Sequence, residues 1–136
     1  MNHEILTQAH FVAAINWISK MCKSEYWNLT DNEAAKLLGM KDAATYKELV
    51  TQALTNQFIF ISDETSERIS LLLGIWKYSQ ILAPANRADL ANKLFIAPNS
   101  NPLLQGNSIK DFLLKNNSID NFYTIKRYLA SASNGY

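Results

Sequence analysis

His3 and His10 are the only histidines and Cys22 the only cysteine. With 12 scattered carboxylates they are the side chains that could ligate a metal, move a proton or attack an electrophile. Their spacing points elsewhere. The histidines stand seven residues apart, almost two helical turns, with no cysteine or acid at ligand spacing, so they read as surface or partly buried. A single cysteine provides neither a disulfide framework nor a thiolate cluster, and Cys22 lies in an apolar stripe where a thiol acts as a small core residue. The carboxylates fall on polar helix faces and caps, and no phosphate-cradling Gly-rich loop, Gly-x-Ser-x-Gly elbow or His-Glu-x-x-His helix occurs. No catalysis, cofactor or metal is therefore expected, short of a site assembled across the fold.

Recognition is the chemistry left. The 136 residues carry 13 basic and 12 acidic groups, net +1, which gives no general electrostatic case for nucleic acid or an anionic membrane. Residues 1–61 hold five lysines and six acids, whereas residues 62–136 hold eight basic groups and six acids. A basic partner surface is thus expected in the second half. At 48% hydrophobic, the chain can bury a core of one ordinary domain or two very small ones. No apolar run approaches the roughly 20 residues that span a bilayer, and the N-terminus lacks the basic start of a signal peptide. A soluble, cytoplasmic protein with no membrane partner is expected.

The elements that would position any site are helices. In the first, over residues 4–23, Phe11, Ile15, Ile18 and Cys22 repeat at i, i+4, i+7 and i+11, and Leu6, Ala13, Trp17 and Met21 widen the face. Thr30-Asp31-Asn32-Glu33 is a capping box for a short second helix that Gly39 closes. Asp42 caps a third, with Tyr46, Leu49, Val50, Ala53 and Leu54 inward and Thr45, Lys47, Glu48, Thr51, Gln52 and Thr55 outward. Two short helices around a glycine turn suggest helix-turn-helix, with a turn one residue longer than usual. Lys36, Lys41, Thr45 and Lys47 would then be the DNA-facing residues, although outward Glu48 and the acidic balance of residues 1–61 oppose them.

Phe58-Ile59-Phe60-Ile61 is the only β-like run, an extended connection or a short strand paired with a second copy. A long helix capped by Ser62 or Asp63 follows, apolar along both Ile69, Leu72, Leu73, Trp76 and Leu71, Ile75, Tyr78, Leu82, with Gly74 allowing a close approach. Pro84 stops it. Asn86 then caps a helix with Leu90 and Leu94 inward, residues 97–107 form a loop, and Ser108 caps a helix burying Ile109, Phe112 and Leu113. The last helix carries Phe122, Ile125, Leu129 and Ala132 on one side. The expected fold is all-α, about seven short helices, with domains at 1–61 and 62–136, the first packed on the second.

Several pieces together resemble the Xre/MbcA/ParS antitoxin family: Trp27-Asn28-Leu29-Thr30 followed by Leu37-Leu38-Gly39, then Glu67-Arg68-Ile69-Ser70-Leu71-Leu72-Leu73-Gly74-Ile75. Ala97-Pro98-Asn99 leading to Gly106-Asn107-Ser108 continues the series, and Ile125-Lys126-Arg127-Tyr128-Leu129 with Gly135-Tyr136 ends it. Order and spacing are matched over residues 27–136. The resemblance implies an N-terminal helix-turn-helix-like part, a C-terminal toxin-binding domain and a RES-type toxin partner that consumes NAD or uses it for ADP-ribosylation. It carries toxin contact over to Lys126, Arg127 and residues 131–136, among them Ser133, Asn134, Gly135 and Tyr136. Ser133-Asn134-Gly135-Tyr136 departs from the family's arginine and paired glycines before the aromatic, and Lys47-Glu48 from its Arg-aromatic pair. The alternatives are a free-standing helix-turn-helix transcription regulator and a self-associating adaptor. Operator DNA and a homodimer complete the expected partners.

Overall fold

The computed structural model describes residues 2–87 and 89–134, with side chains from Gln8 to Ser133 apart from position 88. Among these residues there are seven α-helices and no strand: α1 (Asn2–Met21), α2 (Asp31–Leu37), α3 (Ala43–Leu54), α4 (Asp63–Leu82), α5 (Asp89–Ile96), α6 (Ile109–Lys115) and α7 (Ile119–Asn134). A 3-10 turn spans Pro102–Leu104. The fold is all-α, as the sequence patterning leads one to expect. The chain divides into two units, one ending at Ile69 and the other beginning at Ser70, so the boundary falls inside α4.

In the first unit α1 and α2 both pack on α3. Ile15, Ile18 and Met21 of α1 are buried, and Trp17 meets Trp27 edge to face, centroids 5.5 Å apart at 83°. Ala13 is exposed. At about 100° per residue it stands on the far side of α1 from Ile15 and Ile18, so it does not widen their face.

The termini of α2 follow from local chemistry. Glu33 N–H donates to Thr30 Oγ1 (3.1 Å) and Thr30 N–H to Glu33 Oε1 (2.9 Å), the reciprocal box the sequence suggests. At the other end Met40 N–H bonds Ala35 O (2.9 Å) and Gly39 N–H bonds Lys36 O (3.1 Å), a Schellman closure with Gly39 at φ +72°. The next carbonyls are satisfied from α4: Thr65 Oγ1 donates to Leu38 O (2.7 Å) and Arg68 Nη1 to Leu37 O (3.4 Å). Arg68 is 6% exposed, a cation held at a helix C-terminus where the dipole favours it.

In α3 Tyr46, Leu49 and Ala53 are buried, but Leu54 is 69% exposed. It lies about 100° round the helix from Ala53, in the last position, beyond the inward face. Segment 58–61 alternates with period two: Phe58 and Phe60 are each 77% exposed, whereas Ile59 and Ile61 are 1% and 5% exposed.

Ser62 Oγ accepts from Thr65 N–H (3.1 Å) and caps α4. Ile69, Leu71, Leu72 and Ile75 are buried along it, but the last turn is open, with Ile81 and Leu82 exposed. The second stripe therefore ends before Leu82.

In the second unit α5 packs on α6 and α6 on α7. Asn86 does not cap α5, which begins at Asp89, whose carboxylate takes both arms of Arg87 at 3.1 Å. The register moves with it: Ala91 and Phe95 are buried, and Leu90 and Leu94 are half-buried. Asn99 and Asn101 each accept a backbone N–H two residues on, from Asn101 (2.7 Å) and Leu103 (2.9 Å). These turns deliver Leu104 into the core at 0% exposure. Ser108 accepts from Asp111 N–H (3.0 Å) to start α6, whose Ile109, Phe112 and Leu113 are all buried. Phe122, Ile125 and Leu129 bury one face of α7.

Candidate functional site

The first group of sequence-predicted contacts lies on α2 and α3. Lys36, Lys41, Thr45 and Lys47 are all exposed, in the last turn of α2, in the turn 38–42 and on α3. That turn has the extra length the sequence suggests, against the usual three or four residues. The N-terminus of α3, where a phosphate would meet free amides, is occupied by the chain's own carboxylate. Thr45 donates to Asp42 Oδ1 through its N–H (2.8 Å) and its hydroxyl (2.7 Å). These two bonds hold the Asp42 carboxyl below the usual range and keep it ionised. Thr45 thus spends its hydroxyl on the cap.

Thr45 and Glu48 also line a groove of about 510 Å³ with Met40, Phe58, Phe60 and Ser62. Aromatic walls over a surface bearing Glu48 suit a protein segment better than a phosphate backbone.

The second group lies on α7. Arg127 is exposed and Lys126 half-buried. Ser133 is also half-buried, and its hydroxyl donates to Ala130 O (2.9 Å). Helix α7 runs on through Ser133 to Asn134, so these two residues continue the helix instead of following it. Gly135 and Tyr136, and the side chain of Asn134, lie outside the described residues. At about 100° per residue, Ser133, Lys126, Ala130 and Arg127 form one strip roughly 120° wide beside the buried Phe122, Ile125 and Leu129. Side chains seven apart on such a strip sit about 10 Å from each other along the axis. The strip is cationic, with Arg127 exposed and the other three residues half-buried. It offers hydrogen-bond donors to an acidic or carbonyl-rich partner surface.

Three features of these surfaces go beyond the sequence patterning. The Lys126 stem covers Gly74, where an added Cβ would come 2.8 Å from Cε. Arg68, within a matched motif, is buried and serves α2. Gln8 pairs with the backbone of Ile59 in both directions. The signal for the first was Gly74 inside an apolar helix; the other two carry none, because each joins residues far apart in the chain.

Among the described residues no three of His, Cys, Asp and Glu are grouped to hold a metal ion, and no helix is long and apolar enough to cross a membrane. Comparison with known protein families, with curated proteins and with solved structures finds no match to this chain.

Proposed function

We propose that this protein is an antitoxin of a type II toxin-antitoxin pair, whose C-terminal unit binds and occludes a RES-type toxin that consumes NAD or transfers ADP-ribose. The observation that carries the reading is the ordered set of motifs over residues 27–136 that resembles the Xre/MbcA/ParS antitoxins. The geometry adds support of a particular kind. Thr30 and Ser108 are helix caps, Gly39 closes a helix, and Leu71, Leu72 and Ile75 are core. Many of the matched residues thus serve the fold, so the functional step rests on the matched piece that carries an exposed cation, the Lys126–Arg127 strip of α7. Cations there suit a cleft that receives a dinucleotide and its acidic surroundings.

The test is co-purification with the product of the neighbouring gene, then growth rescue in cells that express it. The full chain should rescue, and Lys126→Glu with Arg127→Glu should abolish rescue at equal protein level and unchanged thermal melt. Absence of a bound toxin, or undiminished rescue by the double variant, would count against the reading. A free-standing transcription regulator is the second reading, favoured by the exposure of Lys36, Lys41 and Lys47. It requires DNA affinity that falls with salt at about 0.9 log units per neutralised phosphate. The Asp42 cap and Glu48 leave it the weaker of the two.

A further inference from the structure

Residues 58–61 have the exposure pattern of a lone extended strand, with Ile59 and Ile61 buried and Phe58 and Phe60 exposed in alternation. Extended backbone sends the N–H and C=O of alternate residues to opposite edges. On one edge Ile59 is satisfied by a side chain acting as a surrogate strand: its N–H donates to Gln8 Oε1 (3.2 Å) and its C=O accepts from Gln8 Nε2 (2.6 Å). Phe58 and Phe60 therefore address the other edge, where their backbone groups find no hydrogen bond among the described residues. Both side chains are 77% exposed on the outer face. An edge with unpaired amides and large apolar side chains is the arrangement that accepts another strand.

The sequence indicates which strand. Phe58-Ile59-Phe60 reads the same in both directions, so an antiparallel copy centred on Ile59 sets each Phe58 opposite a Phe60 of the other copy. Those are the residues whose ladder groups have no partner among the described residues, and each such pair can exchange both N–H···O bonds. Their side chains meet as cross-strand aromatic pairs on the outer face. Charge does not oppose the match, because no ionisable carboxylate or amine lies between Glu48 and Asp63. In this register Asp63 falls opposite Thr55 and away from any acid.

We propose that residues 58–60 of two copies of this chain pair antiparallel about a two-fold axis through Ile59, and that this strand pair is the homodimer interface of the N-terminal unit. Full burial of a phenylalanine removes about 150–250 Å², so four of them at their present exposure supply on the order of 600 Å². That is below the roughly 1,200 Å² at which standard interfaces begin, and the dimer is correspondingly weak. The pairing is independent of the antitoxin reading, because it uses no residue of α7.

Sedimentation velocity of the full chain across a concentration series tests it, with two double variants that separate this register from any other. Phe58→Lys with Phe60→Lys sets lysine against lysine across the axis and should raise Kd at least about 100-fold. Phe58→Lys with Phe60→Glu sets each lysine opposite a glutamate and should restore dimer at low salt. Since both positions are exposed, thermal melts should be unchanged. In the unmodified chain, amide exchange at Phe58 and Phe60 should slow as concentration rises, whereas Ile59, already bonded to Gln8, should show no such dependence. A chain that stays monomeric to about millimolar concentration, a dimer indifferent to the lysine pair, or equal loss of dimer in both double variants would each overturn the proposal.

Discussion

The aliphatic stem of Lys126 lies across the backbone of Gly74, so close that a Cβ at Gly74 would come 2.8 Å from Cε and 3.1 Å from Cδ. Helix α4 therefore fixes where the ammonium of α7 emerges, through a contact that only a residue without a side chain permits. Gly74→Ala should push the far end of Lys126 aside, a cheap move for a flexible chain, and alanine gains about 1 kcal/mol of helix propensity over glycine. The two effects offset. Stability should stay within about 1 kcal/mol of the unmodified chain in a urea titration, while under the antitoxin reading affinity for the toxin should fall because the cation has moved. A loss of several kcal/mol would show that the Lys126 stem is locked in place.

Gly39 is crowded in a different manner, since an added Cβ would meet Glu64 Oε2 at 2.7 Å and the Arg68 Nε at 2.9 Å. It also sits at φ +72°, whereas Gly106 sits at φ +85° with nothing within 4 Å of its would-be Cβ. The left-handed backbone alone costs a substituted residue about 1–2 kcal/mol, which is all that Gly106→Ala should lose. Gly39→Ala should lose more, because the buried Arg68 must also give way. Equal losses in urea denaturation would mean that the Arg68 cap yields freely.

Leu72 is 0% exposed, and Leu54 is 69% exposed at the end of α3. Leu72→Ala should cost about 2–5 kcal/mol through lost burial and the cavity left behind. Leu54→Ala should stay within about 0.5 kcal/mol. A thermal melt that ranks them the other way would refute the assignment of the α4 stripe to the core.

Cys22 Sγ and Tyr46 Oη lie 3.4 Å apart, and burial raises the pKa of both above their ordinary values of 9.0 and 10.0. The hydrogen bond to Cys22 raises Tyr46 further. Both groups are neutral when protonated, so folding holds their protons more tightly than the unfolded chain does. The resulting stability is fully present below about pH 9 and declines as pH rises through the unfolded values towards the raised ones. Denaturation at pH 7 and at about pH 10 should show this decline, and Tyr46→Phe should reduce it. An identical decline in the Tyr46→Phe chain would place the alkaline sensitivity elsewhere.

The caps were legible because each is local. Thr30, Asp42, Ser62 and Ser108 all accept the N–H three residues on, a relation carried within four consecutive residues. Helix faces were legible where the apolar spacing is unambiguous, as in α6, and not where it is diffuse. In α5 four of eight positions are Leu, Phe or Ile, so several registers bury comparable area, and packing on α6 selects Ala91 and Phe95. Long-range polar pairs such as Gln8 with Ile59 or Arg68 with Leu37 leave no periodic trace. At the α7 strip, spacing marked Phe122, Ile125 and Leu129 as the buried face, but both the choice of Lys126 and Arg127 and their role came from resemblance.

The end of α7 offers the most direct functional test. Ala132 is half-buried, and Ser133 remains in the helix with its hydroxyl bonded to Ala130 O (2.9 Å). A chain ending at Ala132 therefore removes part of the helix as well as Gly135 and Tyr136, and its failure could arise from fraying alone. A chain ending at Asn134 keeps the whole of α7 and separates the two effects. Under the antitoxin reading the terminal aromatic is an anchor for a pocket, and the glycine before it lets the backbone approach closely. Truncation at Asn134 should then leave the thermal melt within about 2 °C, because it keeps every described residue of α7 in place, and should weaken rescue from the cognate toxin. Truncation at Ala132 should weaken rescue at least as much and lower the melt as well. Full rescue by the chain ending at Asn134, at equal protein level, would dismiss the aromatic anchor and leave neutralisation to the strip that carries Lys126 and Arg127.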